Sequence, residues 1–178
     1  EESQRGFSFM RDEVLDMRFS TREATTAASI VNGYSMSELT KIFKEYGEMG
    51  YAHTIARAIV QERKHGRILT TGKLTEIAKK HIHGGKIHPA TQLFQALRIA
   101  VNQELDAVRL GILAAMRLVA PGGRVVAISF HSLEDRIVKN TFRESGSVIT
   151  KKPVSATREE IIQNPRARSA KLRAWENI

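Results

Sequence analysis

Val119-Ala-Pro-Gly-Gly-Arg-Val-Val-Ala-Ile-Ser-Phe-His-Ser-Leu-Glu-Asp-Arg136 is the stretch that decides how this chain is read. A Pro-Gly-Gly turn leads into a short apolar run, Val125 to Ile128, which ends abruptly in polar residues. A run of this length, with Gly and Pro before it, predicts a strand buried on both faces. Ser132 then reads as the N-cap of a following helix, with Glu134 and Asp135 in the first turn where the helix dipole favours acids. Polar side chains at the carboxyl end of a buried parallel strand sit where α/β sheets place their ligand crevice. A doubly covered strand needs neighbours, and few are visible. The two other candidates lie near 147–151 and 170–175. The chain opens on Glu1 and passes at once into Arg5-Gly-Phe-Ser-Phe9, so the expectation is the later part of a larger α/β fold.

Working outward, residues 1–22 mix aromatics and both charge signs without periodicity and read as an ordered loop. Four short helices follow, over 24–33, 37–46, 51–64 and 71–81, with Gly47 and Gly66 closing two of them. Gly84-Gly85-Lys86 reads as a boundary loop. Pro89 opens a long helix that runs to about Val119 through Leu93, Phe94, Leu97, Val101, Leu105, Val108 and Ile112, and Pro121 stops it. After the strand and its helix come a further strand, a short helix over 157–162 and a closing strand. The expected fold class is therefore α/β, with residues 1–22 an ordered loop of the main domain, 23–87 a helical domain, and 88–178 the second half of a sheet.

The chain lacks cysteine, which excludes disulfides and thiolate-bound metals. No apolar run reaches the length of a membrane span, so no membrane partner is expected. Net charge is +9, and the segment from Arg136 to the end carries ten Lys/Arg against four Glu. Such surface favours phosphate backbones or anionic lipid; a plain solvated surface is the alternative. His81, His83 and His88 lack the neighbouring ligands of a metal site, and no metal is expected.

Several blocks together resemble a known family. These are Arg5-Gly-Phe-Ser-Phe9, Leu15-Asp-Met-Arg18, Tyr46-Gly-Glu48, His88-Pro-Ala-Thr91, Phe94-Gln-Ala-Leu-Arg98, Val101-Asn102, Glu104-Leu105, Pro121-Gly-Gly-Arg124, the run Ile128 to Lys139 and the run Asn164 to Arg173. They resemble, in family order, the MraW-type 16S rRNA cytosine-N4 methyltransferases. The resemblance implies a Rossmann-like S-adenosylmethionine methyltransferase sheet, here its second half, interrupted by an all-α insert. It implies methyl transfer to the exocyclic N4 of a cytidine, 16S rRNA in the small ribosomal subunit as partner, and a cytoplasmic location. The family's glycine-rich cofactor loop, ribose-binding acid and Asp-Leu-Gly motif precede the Arg-Gly-Phe-Ser-Phe block, so its S-adenosylmethionine-binding residues fall upstream of Glu1. The isolated chain is then expected to be inactive. Glu13-Val14, Met49-Gly50 and Gln92 depart from the family pattern, the last where an Arg is usual.

Methylating a cytosine amine requires an extruded base, an in-line methyl donor and an acceptor for the amine proton, so positioning outweighs base strength. Ser129, His131 and Ser132 can reach a base edge from the end of the strand, and imidazole titrates near neutrality. His131 could instead satisfy a buried backbone group. Glu134 and Asp135 can bond the amine or serve the helix dipole. Arg136 can meet a phosphate or a surface acid. Phe7 and Phe9 flank Ser8 and could sandwich a flipped base, support a cofactor pocket by stacking, or pack in the core. Asp16 and Arg18 could line the site or pair with each other. Arg98 and Asn102, four apart on one helix face, could bind a nucleotide or tie the helix to the loop near Arg5. Arg166 and Arg168, with Lys171 and Arg173, read as a basic strip for rRNA backbone. Two competing functions remain, a non-catalytic rRNA-binding or assembly module and a homo-oligomer formed through an exposed sheet edge.

Overall fold

A computed structural model describes residues 4–82, 88 and 90–178. The expected boundary loop at 84–86, His83 and the helix-opening Pro89 lie outside the described residues. The chain forms two compact units, Glu1–Gln103 and Glu104–Ile178.

Among its described residues the first unit has five helices: α1 (Ala27–Gly33), α2 (Met36–Glu45), α3 (Ala52–Glu62), α4 (Thr71–His81) and α5 (Ala90–Asn102). Three of them start where a hydroxyl meets an orphan amide. Thr26 and Ser35 each make a capping box, and the Thr70 side chain accepts from the Lys73 amide. The apolar positions read from helical spacing form the core, with Phe43, Ile55, Ile59, Leu74, Ile77 and Leu97 essentially free of solvent. The aperiodic loop is ordered because its backbone bonds are satisfied by the helices and their connections. Leu15 N–H donates to Leu69 O (2.9 Å), Glu13 N–H to Thr71 Oγ1 (2.9 Å), and Ala27 and Ala28 N–H donate to Asp16 O and Leu15 O. Gly6 lies in the left-handed region (φ 74°), and a Cβ there would meet Val14 O at 2.4 Å. Only glycine closes that approach.

The long helix expected from residue 89 to 119 is two helices. Gln103 takes a left-handed conformation (φ 50°) between α5 and α6 (Glu104–Leu118). The Asn102 side chain draws the chain out of the helix here, bonding Met17 O, Arg98 O and the Phe19 amide.

The second unit packs α6 and α7 (Ser132–Glu144) on one face of a three-stranded antiparallel sheet. Its strands are β1 (Arg124–Ser129), β2 (Val154–Ser155) and β3 (Lys171–Glu176), in the order β1-β3-β2. A short helix, α8 (Arg158–Gln163), and a 3-10 turn, Pro165–Ser169, precede β3. Val125, Trp175, Ile112, Val138 and Phe142 form the core. Three expectations are corrected here. Val125 to Ile128 is a strand, but not one buried on both faces. Val126 and Ile128 are 56% and 57% exposed, because α6 and α7 cover only the face carrying Val125 and Ser129. Residues 147–151 do not form a strand; Val148 makes an isolated bridge to Trp175, and the ladder resumes at β2. Ser132 is not the N-cap of α7. His131 is, because its ring nitrogen can accept the amide bond that a hydroxyl usually takes.

Candidate functional site

In the second unit β1 delivers the chain into α7 through Phe130 and His131. His131 Nδ1 accepts from the Glu134 amide (3.4 Å), and Glu134 Oε2 reaches back to the amides of Phe130 (2.8 Å) and His131 (3.4 Å). Nδ1 therefore carries the lone pair, and in the neutral ring Nε2 carries the proton. His131 Nε2 lies 3.2 Å from Glu134 Oε1 but out of line for a hydrogen bond, so it is buried without a partner. Burial opposes ionisation of Glu134. The His131 side chain and the two amides outweigh it and hold the carboxyl below the usual glutamate range.

Glu104 joins this pair, since ligand atoms of Glu104, His131 and Glu134 all lie within 4.8 Å of one another. A cation bound through Nε2 would force the ring into its other tautomer and cost α7 its cap. The arrangement suits a hydrogen-bonding, proton-accepting group better than a metal centre.

Ser129 is buried, and its hydroxyl donates to Lys171 O (3.3 Å). Asp135 accepts from Arg173 through both oxygens (2.7 and 3.0 Å), with Lys171 Nζ at 3.6 Å. The Arg173 guanidinium, then the nearby Lys171, holds the Asp135 carboxyl below its usual range despite burial. Arg173, 5% exposed, is a buried partner and not part of a basic strip. Ser132, the first residue of α7, and Arg136, one turn further on, are both exposed. Arg166 and Arg168 are exposed on the 3-10 turn, whose start is capped by Asn164.

In the first unit Asp16 and Arg18 pair with each other, Nε to Oδ1 at 2.7 Å and Nη2 to Oδ2 at 2.8 Å. Arg18 also donates to Thr21 O and Glu23 O, and its guanidinium keeps the Asp16 carboxyl low. Asn102 ties α5 to the segment Met17–Phe19, while Arg98 is half-buried one turn before it. Gln92, where the family usually has Arg, accepts from the Tyr51 hydroxyl (2.7 Å). Phe7 and Phe9 do not face one another across a slot. Phe7 stacks on Phe19 (5.5 Å, 13°), and Phe9 stacks on His88 (4.6 Å, 9°) with Phe94 edge-on (5.5 Å). Sequence reasoning missed Glu104 and Phe19. Neither belongs to a periodic pattern; the signals were that Glu104 opens the Glu104-Leu105 block and that Phe19 is an aromatic directly after the Leu-Asp-Met-Arg block.

The chain matches the MraW methylase family over residues 1–178. Among curated proteins it is 48% identical over 185 residues to ribosomal RNA small subunit methyltransferase H of Persephonella marina, covering 99% of this chain and 63% of that protein. The same-named proteins of Syntrophotalea carbinolica and Bdellovibrio bacteriovorus are 46% and 48% identical over 200 and 182 residues. Those matches cover 99% of this chain in each case, and 64% and 55% of the relatives. The chain thus spans less than two thirds of these relatives' length.

Proposed function

The chain belongs to the MraW methylase family, and from that premise we propose that it serves S-adenosylmethionine-dependent N4-methylation of a cytidine in 16S rRNA, in the cytoplasm. The names of its relatives support small-subunit rRNA as the substrate. The observation that carries the reading is the His131–Glu134 pair at the carboxyl end of β1.

An exocyclic amine that gains a methyl group must lose a proton. Glu134, ionised and aligned by two backbone amides, presents Oε1 beside the buried His131 Nε2–H. The carboxylate can accept an amine N–H and fix the direction of the N4 lone pair. A carboxyl held this low is a weak base, so its contribution is orientation and proximity. Asp135, locked to Arg173, acts through α7 by fixing its first turn on β3.

The described residues do not supply the methyl donor's cradle. β1 enters α7 through Phe130 and His131 with no glycine between them, where a glycine-rich turn would be needed for close backbone approach. The chain alone is expected to bind the cofactor weakly or not at all, and micromolar affinity by calorimetric titration would contradict this. We further read β1–β3 as the later half of a Rossmann-like sheet and residues 23–87 as its all-α insert. The apolar outer face of β1 and its unpaired edge among the described residues support this, since both call for cover.

The test joins the chain to the part of the Persephonella marina relative that it does not span. Small subunits lacking the modification are then incubated with labelled S-adenosylmethionine. N4-methylcytidine is the expected product by nucleoside mass spectrometry, with about a hundredfold loss in Glu134→Gln, the scale of misplacing a reacting group. Methyl on a ring carbon or ribose would overturn the assignment, and binding without transfer would leave an rRNA-binding module.

A further inference from the structure

We infer that Phe19 is a nucleobase-stacking residue whose outward ring face takes one unpaired base of the RNA substrate. The inference rests on the rRNA reading above and assigns a subsite within it.

Phe19 is 60% exposed, an unfavourable place for a phenyl ring unless something covers it. It is also held firmly. Its amide donates to Asn102 Oδ1 (2.7 Å), and its carbonyl accepts from Arg5 Nη1 (3.2 Å). Its ring stacks nearly parallel on Phe7 (5.5 Å, 13°). The preceding residue, Arg18, is fixed by Asp16, Thr21 O and Glu23 O. One face of the ring is thus committed to Phe7 while the ring keeps most of its surface in solvent.

A ring immobilised on one side and open on the other is what a stacking platform requires, because the ordering cost is met before the ligand arrives. Arg5, whose guanidinium carbon lies 5.7 Å from the Phe7 centroid, sets a cation beside the stack. An open aromatic face in a cluster that also holds a cation suits a base joined to a phosphate. Every base offers a π face, so this subsite selects an unstacked base and not a particular letter. It also replaces the expected Phe7–Phe9 sandwich, since both of those rings are already partnered.

The test uses the chain with a short, unstructured oligocytidylate carrying one 2-aminopurine, whose fluorescence is quenched by stacking. Wild type binds and quenches. Phe19→Leu, which keeps apolar bulk but removes the π face, is expected to bind about tenfold more weakly, to lose the quench and to keep the salt dependence. Phe19→Leu binding and quenching like wild type overturns the inference alone. Absence of oligonucleotide binding by wild type takes the rRNA reading down with it. Should Phe19→Leu lower the melting temperature, Phe19→Trp carries the test, and failure of the tryptophan variant to quench at least as strongly as wild type also overturns it.

Discussion

Asp135 meets the buried Arg173 head-on, both guanidinium bonds going to its two oxygens, with Lys171 as a second, looser cation. Removing one member of such a pair leaves the other charged and desolvated, which costs about 3–5 kcal/mol. Asp135→Asn should therefore lower the denaturant midpoint of the second unit steeply at neutral pH. The pH dependence has a definite sign. The folded carboxyl titrates below the unfolded value of 3.8, so its stabilisation is complete above 3.8 and disappears as pH falls through the lower, folded value. Denaturation followed across that range should show an acid limb in wild type that is flattened in Asp135→Asn. An equal acid limb in both would count against the pair. This pairing was legible only in part. The sequence placed Asp135 in the first turn of a helix, but no local pattern couples it to an arginine 38 positions later.

Elements show what periodicity can and cannot carry. The helices over 24–33, 37–46, 51–64 and 71–81 were readable because their apolar positions recur at helical spacing and glycines close two of them, and the structure differs from them by only a few terminal residues. Ser35 makes a full capping box with Glu38, whose carboxyl is held low by the Ser35 hydroxyl and amide. Ser35→Ala should destabilise the first unit by about 1 kcal/mol, seen as a lower melting temperature by circular dichroism. No change would mean α2 is held by packing alone. β1 was legible as a strand but not in its surroundings, because an uninterrupted apolar run looks the same whether one face or two are covered. The break at Gln103 was hidden for a different reason. It is set by Asn102 reaching Met17 and Phe19, a contact between residues more than eighty positions apart. The His131 cap was missed because a ring nitrogen substituted for the usual hydroxyl.

At the scale of the molecule, the net charge of +9 and the exposed Arg166 and Arg168 present cationic surface of the kind a phosphate backbone favours. Among the described residues no helix is long and apolar enough to cross a membrane. Composition and motif order were enough to reach the family. They pointed to His131 and Glu134 as candidates but not to Glu104 or Phe19, whose neighbours are set only by folding. The outward row of Val126, Ile128 and Phe130, each more than half exposed, has a practical consequence at the bench. Such a surface adsorbs environment-sensitive dyes such as anilinonaphthalene sulfonate while the protein is fully native. The chain should therefore glow with that dye before any heating, and Val126→Thr together with Ile128→Thr should dim it without shifting the circular dichroism melt. Dye-monitored melting curves of this protein would then start from a raised baseline that reports its architecture, and not misfolded material in the tube.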